Sequence, residues 1–532
     1  MSLPDIRRLL PSERNQLADK VRDLPDFKLP ELKYFNSSPC AQHTEVVVGC
    51  RNCGIKPRAH QRQAAAWAYL RTKVLVADQT GTGKSTILAL LIAMLKESGQ
   101  LEDGKVLLVC RAAALRQWTT ELNRMLPMIK TVAATGTASK RLKIMRSDWE
   151  VMVISRETYV KDHEAFNHID IVALLCDDVD SLANRGNQIS VRLKQLANHC
   201  RYVCIANATP LSKRLEQLHS VMELIGGREF LGGVTQFKNT YIQQEKIQMP
   251  VRGGRMMTTM KTRGYKNLNQ LKSLIRPMVI RRTADQLADV DMPAISTSTV
   301  WLDLHPAQRA KYKEIQAGIL KIIKEGRIAE IKQLEAITVW MKAAATCTGL
   351  PALGEDDGPG ASSKLDWIMD KLEGDLSEEK VVIFIHNKSM VLAAKDRMDA
   401  AGIKAVVVSG MDSNPTRRAE AIQQFWDDPE CKVLIGTSAL QSSLNLQVSR
   451  HLIMADTLHN PASIQQLAGR VQRVGSQYQT VYVHHLLTRD TIEEGFLEKL
   501  EIESALMDHM WDSSSEIFQA LSPEQMMRLI IS

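Results

Sequence analysis

Residues 77–86 read ADQTGTGKST, in which Gly81 and Gly83 precede Lys84 and Ser85. Glycines so placed let backbone amides turn inward around an anion, and the adjacent ammonium adds a point charge. Lys84 would then meet the outer phosphates of a nucleotide, Ser85 would ligate Mg2+, and Thr80, Gly81, Thr82 and Gly83 would form the cradle. The strict phosphate-loop pattern begins with glycine, where this chain has Asp78. A partner carboxylate should end a following buried strand. The run IVALLCDDVD (171–180) ends in Asp177, Asp178 and Asp180. Asp177 suits a water-mediated hold on Mg2+, and Asp178 suits the orientation and deprotonation of an attacking water. Far downstream, QLAGRVQR (466–473) sets Gln466, Arg470 and Arg473 at i, i+4 and i+7, on one face of a helix. Arginine there stays charged and can fork onto phosphate oxygens. In isolation, an acidic turn and a surface helix with two arginines are ordinary features. Behind a phosphate loop they acquire a joint reading, an ATP cleft that opens and closes between two lobes.

Those residues need strands to deliver them. Short apolar, β-rich runs occur at Val74–Ala77, Val106–Cys110, Val151–Ile154, Ile171–Cys176 and Tyr202–Ala206, separated by helical stretches such as Ile87–Glu97 and Leu115–Met125. A second series runs Val381–Ile385, Ala405–Val408, Val433–Ile435, His451–Met454 and Val481–Leu487. Near-continuous apolar strands alternating with helices predict parallel sheets covered on both faces, hence two α/β lobes in series. Between them, residues 226–353 are poor in strand signals and carry a long helical pattern over His305–Thr346. The expected organisation is an N-terminal arm (1–54), a first lobe (55–225), a helical protrusion (226–353), the linker GEDDGPGASS (354–363), a second lobe (364–495) and a helical tail (496–532).

Length and composition agree. A chain of 532 residues exceeds one ordinary core, and 44% hydrophobic with 24% charged residues is globular rather than disordered. The longest apolar run, Ile87–Leu95, is too short to span a bilayer, so no membrane partner is expected. No signal-peptide layout opens the chain, and nine scattered cysteines suit a reducing interior. The expected location is therefore intracellular: cytoplasm and nucleoid, or nucleus in a eukaryote. The net charge of +8 is a weak argument for a polyanionic partner, but its distribution is sharper. Lys246, Arg252, Arg255, Lys261, Arg263 and Lys266 occur without one acidic residue among them, in what reads as a mobile basic loop. Upstream, Cys40, His43, Cys50 and Cys53 have the spacing C-x2-H-x6-C-x2-C, which could hold structural Zn2+ tetrahedrally. The competing reading is a set of reduced cysteines in an irregular arm. Cys200 and Cys204 read as core residues.

Read in order, these motifs resemble the SWI/SNF-like DNA translocases of helicase superfamily 2 over most of residues 55–500. RAHQ (58–61) resembles the adenine-sensing motif, with Gln61 in the recognising position. CRAAALRQW (110–118) resembles motif Ia, VISRE (153–157) lies where motif Ib does, DDVD (177–180) occupies motif II, and ATPLSKRLEQL (208–218) is similar to motif III. LIRPMVIRRTADQL (274–287), DLHPAQRAKY (303–312) and SKLD (363–366) resemble segments typical of this family rather than of helicases generally. The resemblance implies two tandem RecA-like lobes with ATP and Mg2+ at their interface and duplex DNA, gripped by its backbone, across their tops. It implies DNA contacts from Arg111, Ser155, Arg156, Thr437 and Ser438, and from Arg252, Arg255, Lys261 and Arg263 of a protruding loop. Thr209 would couple nucleotide and DNA sites, and Gln466, Arg470 and Arg473 would close on the triphosphate.

The departures are Asp178 for the usual glutamate, Asp180 for histidine, Arg111 for proline, and Leu440, Gln441 and Ser443 in a motif V without its glycines. The leading expectation is a DNA-dependent ATPase that moves along or remodels duplex DNA in genome maintenance. The alternatives are a strand-separating helicase and, from another class, an ATP-binding clamp that hydrolyses weakly.

Overall fold

A computed structural model describes residues 9–24, 29–46, 53–177, 187–208, 215–251, 255–287, 292–324, 333–358, 360–409, 415–441, 445–456, 461–473 and 476–495. In chain order the first strands are β1 (Lys73–Val76), β2 (Lys105–Cys110), β3 (Thr131–Ala133), β4 (Val151–Ser155), β5 (Ile171–Asp177) and β6 (Tyr202–Ala206). The middle of the chain adds β7 (Ile242–Val251), β8 (Arg255–Tyr265), β9 (Val279–Ile280) and β10 (Ala294–Leu302). The last five are β11 (Val381–Phe384), β12 (Ala405–Val408), β13 (Val433–Gly436), β14 (His451–Met454) and β15 (Thr480–Thr488).

Contacts divide the chain into two units, residues 1–242 with 266–292, and residues 243–265 with 293–532. The first holds a seven-stranded sheet of order β3-β4-β2-β5-β6-β1-β9, and every described pairing in it is parallel. The second holds a six-stranded sheet of order β10-β15-β14-β11-β13-β12, again parallel throughout. The expected pair of parallel α/β lobes is therefore present.

Burial explains why these runs became strands. In β11, Val381 and Ile383 join one apolar cluster while Val382 and Phe384 join the cluster on the opposite face. A two-residue side-chain period with both faces covered leaves no room for polar alternation. In the first unit, helix Lys84–Glu97 buries every residue from Thr86 to Leu95. A helix apolar all round must lie inside, and this one packs in the cluster that holds Val74, Val76, Val106 and Leu108.

The middle segment departs from its sequence reading. Residues 246–266 were expected as a mobile basic loop, yet β7 and β8 pair there as a two-stranded sheet. Threonines in β8 favour strand, but the interspersed basic residues hide the pattern. The segment read as poor in strands also supplies an edge strand to each large sheet, β9 beside β1 and β10 beside β15. Two residues in β9 give no periodic signal. In β10, AISTSTVWL has six exposed positions in a row, so no apolar run marks it. The helical pattern over 305–346 appears as helices Pro306–Lys324 and Gln333–Thr348. No described helix is long and apolar enough to cross a membrane.

Candidate nucleotide-binding site

Strand β1 ends at Val76 and releases the chain into the glycine-bearing loop. Gly81 and Gly83 both take φ +87°, a left-handed conformation that a side chain would strain. Gly83 is the residue before helix Lys84–Glu97, so the loop delivers that helix's unpaired N–H groups to its own hollow. The Lys84 ammonium donates to the carbonyls of Asp78 at 2.8 Å and Gln79 at 3.0 Å, lying across the loop it serves. The hydroxyl of Thr82 donates to the Gln79 carbonyl at 2.9 Å, which tightens the turn. Gln61 is buried with its amide donating to the Thr82 carbonyl at 3.0 Å, while its Oε1 accepts from the Arg58 amide at 3.0 Å. His60 Nε2 also meets the Thr82 carbonyl at 3.0 Å. The motif proposed to sense adenine is thus physically seated on the phosphate loop.

Asp78, the residue that departs from the strict pattern, has a structural explanation. It is fully buried, and Arg282 grips it through Nε to Oδ1 at 3.1 Å and Nη2 to Oδ2 at 2.5 Å. The same guanidinium donates to Gln63 Oε1 at 2.9 Å. Backbone bonds from Ala77 to Ile280 (2.7 Å) and from Gln79 to Arg282 (2.9 Å) extend the pairing of β1 with β9 into the loop. Sequence reasoning missed Arg282. The available signal was a buried-strand acid with no local partner and an arginine pair behind an apolar dipeptide, VIRR.

Asp177 ends β5, and its register places it. Val76 of β1 and Asp177 of β5 both pair with Ala206 of the intervening β6, so the phosphate loop and this carboxylate leave the sheet at one level. Two strand spacings, roughly 10 Å, separate their backbones. Oδ2 of Asp177 accepts the Trp118 indole N–H at 2.7 Å, which fixes the carboxylate's orientation. Arg281 donates to the carbonyl of Ala208 at 3.0 Å, tying the segment after β9 to the start of motif III. Asp178, Asp180 and Thr209 lie outside the described residues.

In the second unit, helix Pro461–Val471 carries Gln466, buried, and Arg470, half-buried. Arg473 lies beyond the helix end, so the i+7 placement on one helical face does not hold. Its guanidinium donates to the Asn445 side chain, and the Arg470 carbonyl accepts from the Leu446 amide at 3.0 Å. Both arginines are therefore tied by different groups to the end of motif V (437–446), at Asn445 and Leu446. Thr437 is buried, Ser438 is exposed, and Leu440 is fully buried. A Cβ on Gly436 would collide with the Leu440 side chain, so the unusual motif V residue fills a specific hollow. From SKLD, Lys364 is fully buried and donates to the Ala455 carbonyl (2.8 Å) and to Glu493 Oε1 (2.7 Å), bracing the end of β14.

The proposed DNA-contacting residues are more varied. Arg111 precedes the short turn Ala112–Ala114 and is half-buried. Ser155 is buried, and its hydroxyl accepts the Thr158 amide at 3.2 Å as a helix cap, a structural use of that side chain. Arg156 pairs with Glu157 at 3.3 Å. Arg255, Lys261 and Arg263 fall on β8, and Arg252 lies outside the described residues. Of the expected zinc ligands, Cys40, His43 and Cys53 come together, while Cys50 lies outside the described residues. Burial pushes the thiols of Cys200 and Cys204 up to about 12, which keeps them protonated core residues.

The family model of the SNF2-related domain matches residues 60–349, more than half of the chain, and that of the helicase conserved C-terminal domain matches residues 363–475. The chain belongs to the SNF2-related family. Its two parallel sheets are the pair of α/β lobes expected from the sequence. Among its relatives is the mouse (Mus musculus) chromodomain-helicase-DNA-binding protein 1-like, 25% identical over 465 residues, covering 83% of this chain and 48% of that protein. The Danio rerio DNA repair and recombination protein RAD54-like is 26% identical over 491 residues, covering 83% of this chain and 64% of that one. Among solved structures, the Sulfolobus solfataricus SWI2/SNF2 ATPase core in complex with dsDNA aligns with a TM-score of 0.41 at 20% identity, over 93% of this chain and 100% of that chain. The chain spans about half the length of the curated relatives it matches.

Proposed function

We propose that this SNF2-related chain is a DNA-dependent ATPase that couples ATP hydrolysis to movement along duplex DNA, in repair, recombination, replication or transcription. The observation that carries the reading is the common level at which the phosphate loop after β1 and Asp177 of β5 leave the sheet. Family membership, and relatives named for DNA repair and DNA binding, support the same substrate class.

The residues fit ATP with Mg2+. The hollow of the loop is lined by a helix N-terminus and held open by two glycines, and Lys84 already lies against two carbonyl oxygens that a phosphate could replace. Ser85 and Asp177 would hold Mg2+, which neutralises charge on the phosphate oxygens when bound. Lys84 exchanges its carbonyl partners for the outer phosphates. Gln61, seated on Thr82, reads the base edge next to the loop. Asp178 orients the attacking water and accepts its proton. Arg470 and Arg473 of the second lobe, with Gln466, stabilise charge on the transferred phosphoryl group, so that hydrolysis is linked to lobe closure. Thr209 couples this site to DNA. Arg111, Arg156, Ser438 and the basic positions of β8 grip phosphates, with Ser155 and Thr437 contributing backbone and caps.

ATP turnover measured with duplex, single-stranded and forked DNA tests the proposal. Duplex DNA is expected to stimulate turnover. The amount required should rise steeply with salt, because each phosphate contact releases a condensed counterion. Strand displacement on forks at the rate of hydrolysis would assign a strand-separating helicase instead. Tight ATP binding with no DNA stimulation would assign a clamp.

A further inference from the structure

Ahead of the family-matched region, which begins at residue 60, the arm folds back on itself. The Gly54 amide donates to the Ser38 carbonyl at 2.8 Å and the Ile55 amide to the Asn36 carbonyl at 2.9 Å, so residues 36–38 and 54–55 run side by side. A Cβ on Gly54 would collide with the Asn36 carbonyl, so the approach is closer than any other residue allows. Asn36 in turn anchors to the end of helix Leu115–Met125, through its amide to the Met125 carbonyl (2.8 Å) and its side chain to the Arg124 carbonyl (3.1 Å). The pairing delivers Cys40 and Cys53 to one spot, and the turn closed by the His43 amide on the Cys40 carbonyl (3.0 Å) brings His43 onto them.

The ligand atoms of Cys40, His43 and Cys53 all lie within 4.8 Å of one another. Nδ1 of His43 is 3.1 Å from the Cys40 sulfur and 3.4 Å from the Cys53 sulfur. Zinc–ligand bonds of about 2.3 Å to sulfur and 2.0–2.1 Å to nitrogen, at tetrahedral angles, would set such atoms roughly 3.5–3.8 Å apart. The two observed sulfur–nitrogen distances lie within about half an ångström of that. The Cys40 amide also points at the Cys53 sulfur at 3.4 Å, a donor suited to a thiolate. The two cysteines are not joined as a disulfide, although their sulfurs share one small volume.

The geometry points to a structural zinc ion held by Cys40, His43 through Nδ1, and Cys53. Binding displaces the protons of the coordinating thiols, and the imidazole ligates in its neutral form. The ion clips the arm shut directly before the helix Ala59–Arg71, whose His60 and Gln61 sit on the phosphate loop. Its role is to fix where that helix begins, and it does not depend on which reaction the loop serves.

Metal analysis of the purified full-length chain, followed by cobalt replacement, tests this directly. About one zinc per chain should survive dialysis against a weak chelator, and cobalt should give the intense visible bands of a tetrahedral thiolate site. Cys53→Ser and His43→Ala should each lower zinc content and weaken the cobalt–thiolate charge-transfer band. Alkylation of Cys40 and Cys53 in the folded wild-type chain should accelerate once a strong chelator is added. That readout needs no variant to fold. Zinc far below stoichiometry in protein made with added zinc, together with a cobalt spectrum no different from the aqueous ion, would overturn the site.

Discussion

Lys84→Ala is expected to lower DNA-stimulated ATP turnover by at least about 10²–10³-fold, the scale seen when a preorganised charge is taken from a reacting oxyanion. The same change should barely alter folding. The Lys84 ammonium is half-buried on a loop and donates to two backbone carbonyls of that loop, while the helix it starts is held by the apolar run Thr86–Leu95. Removing a cation from such a place is ordinarily worth less than about 1 kcal/mol. Phosphate release and a thermal melt on the same preparation check both halves. A turnover loss below about tenfold would mean the loop binds something other than the reacting triphosphate.

Arg282→Met should do the reverse and unfold what it touches. It strips the fork from Asp78, a fully buried carboxylate gripped through both oxygens, and leaves that charge with no guanidinium. Breaking one side of a buried pair costs about 3–5 kcal/mol. For a unit of this size that corresponds to roughly 6–20 °C in melting temperature. The double variant Asp78→Gly/Arg282→Met removes both charges and restores the residue the strict phosphate-loop pattern would have. It should therefore recover most of the stability lost by the single change. Differential scanning calorimetry of the wild type, Arg282→Met, Asp78→Gly and the double variant gives the coupling, and additive effects would show that the two side chains do not stabilise one another.

The fold was legible wherever burial dictated residue type. Strands Tyr202–Ala206, Ala405–Val408 and His451–Met454 and helix Leu115–Met125 end where the sequence reading ends them. Each is an apolar run or stripe that lies in a buried cluster. What escaped was held by something other than apolar burial. Strand β10 is an exposed edge written in serine and threonine, β9 is too short to be periodic, and the β7–β8 hairpin carries its basic residues among threonines. In the site, residue types were legible and their mutual support was not. Asp78 looked like a departure from the phosphate-loop pattern and proves to be half of a buried ion pair with Arg282. Leu440 looked like a lost glycine and fills the space above Gly436. Arg473 was assigned to a helix face by counting, but the helix stops at Val471.

The claim on which the proposed function rests is that one lobe holds the triphosphate and the other senses it. Steady-state ATP hydrolysis by Arg470→Ala, with saturating duplex DNA and a parallel measurement of ATP binding, tests this most directly. The expected result is a kcat lower by about 10³-fold or more, the scale of an arginine finger, with ATP affinity changed by less than about tenfold. Hydrolysis at the wild-type rate in that variant would contradict the account.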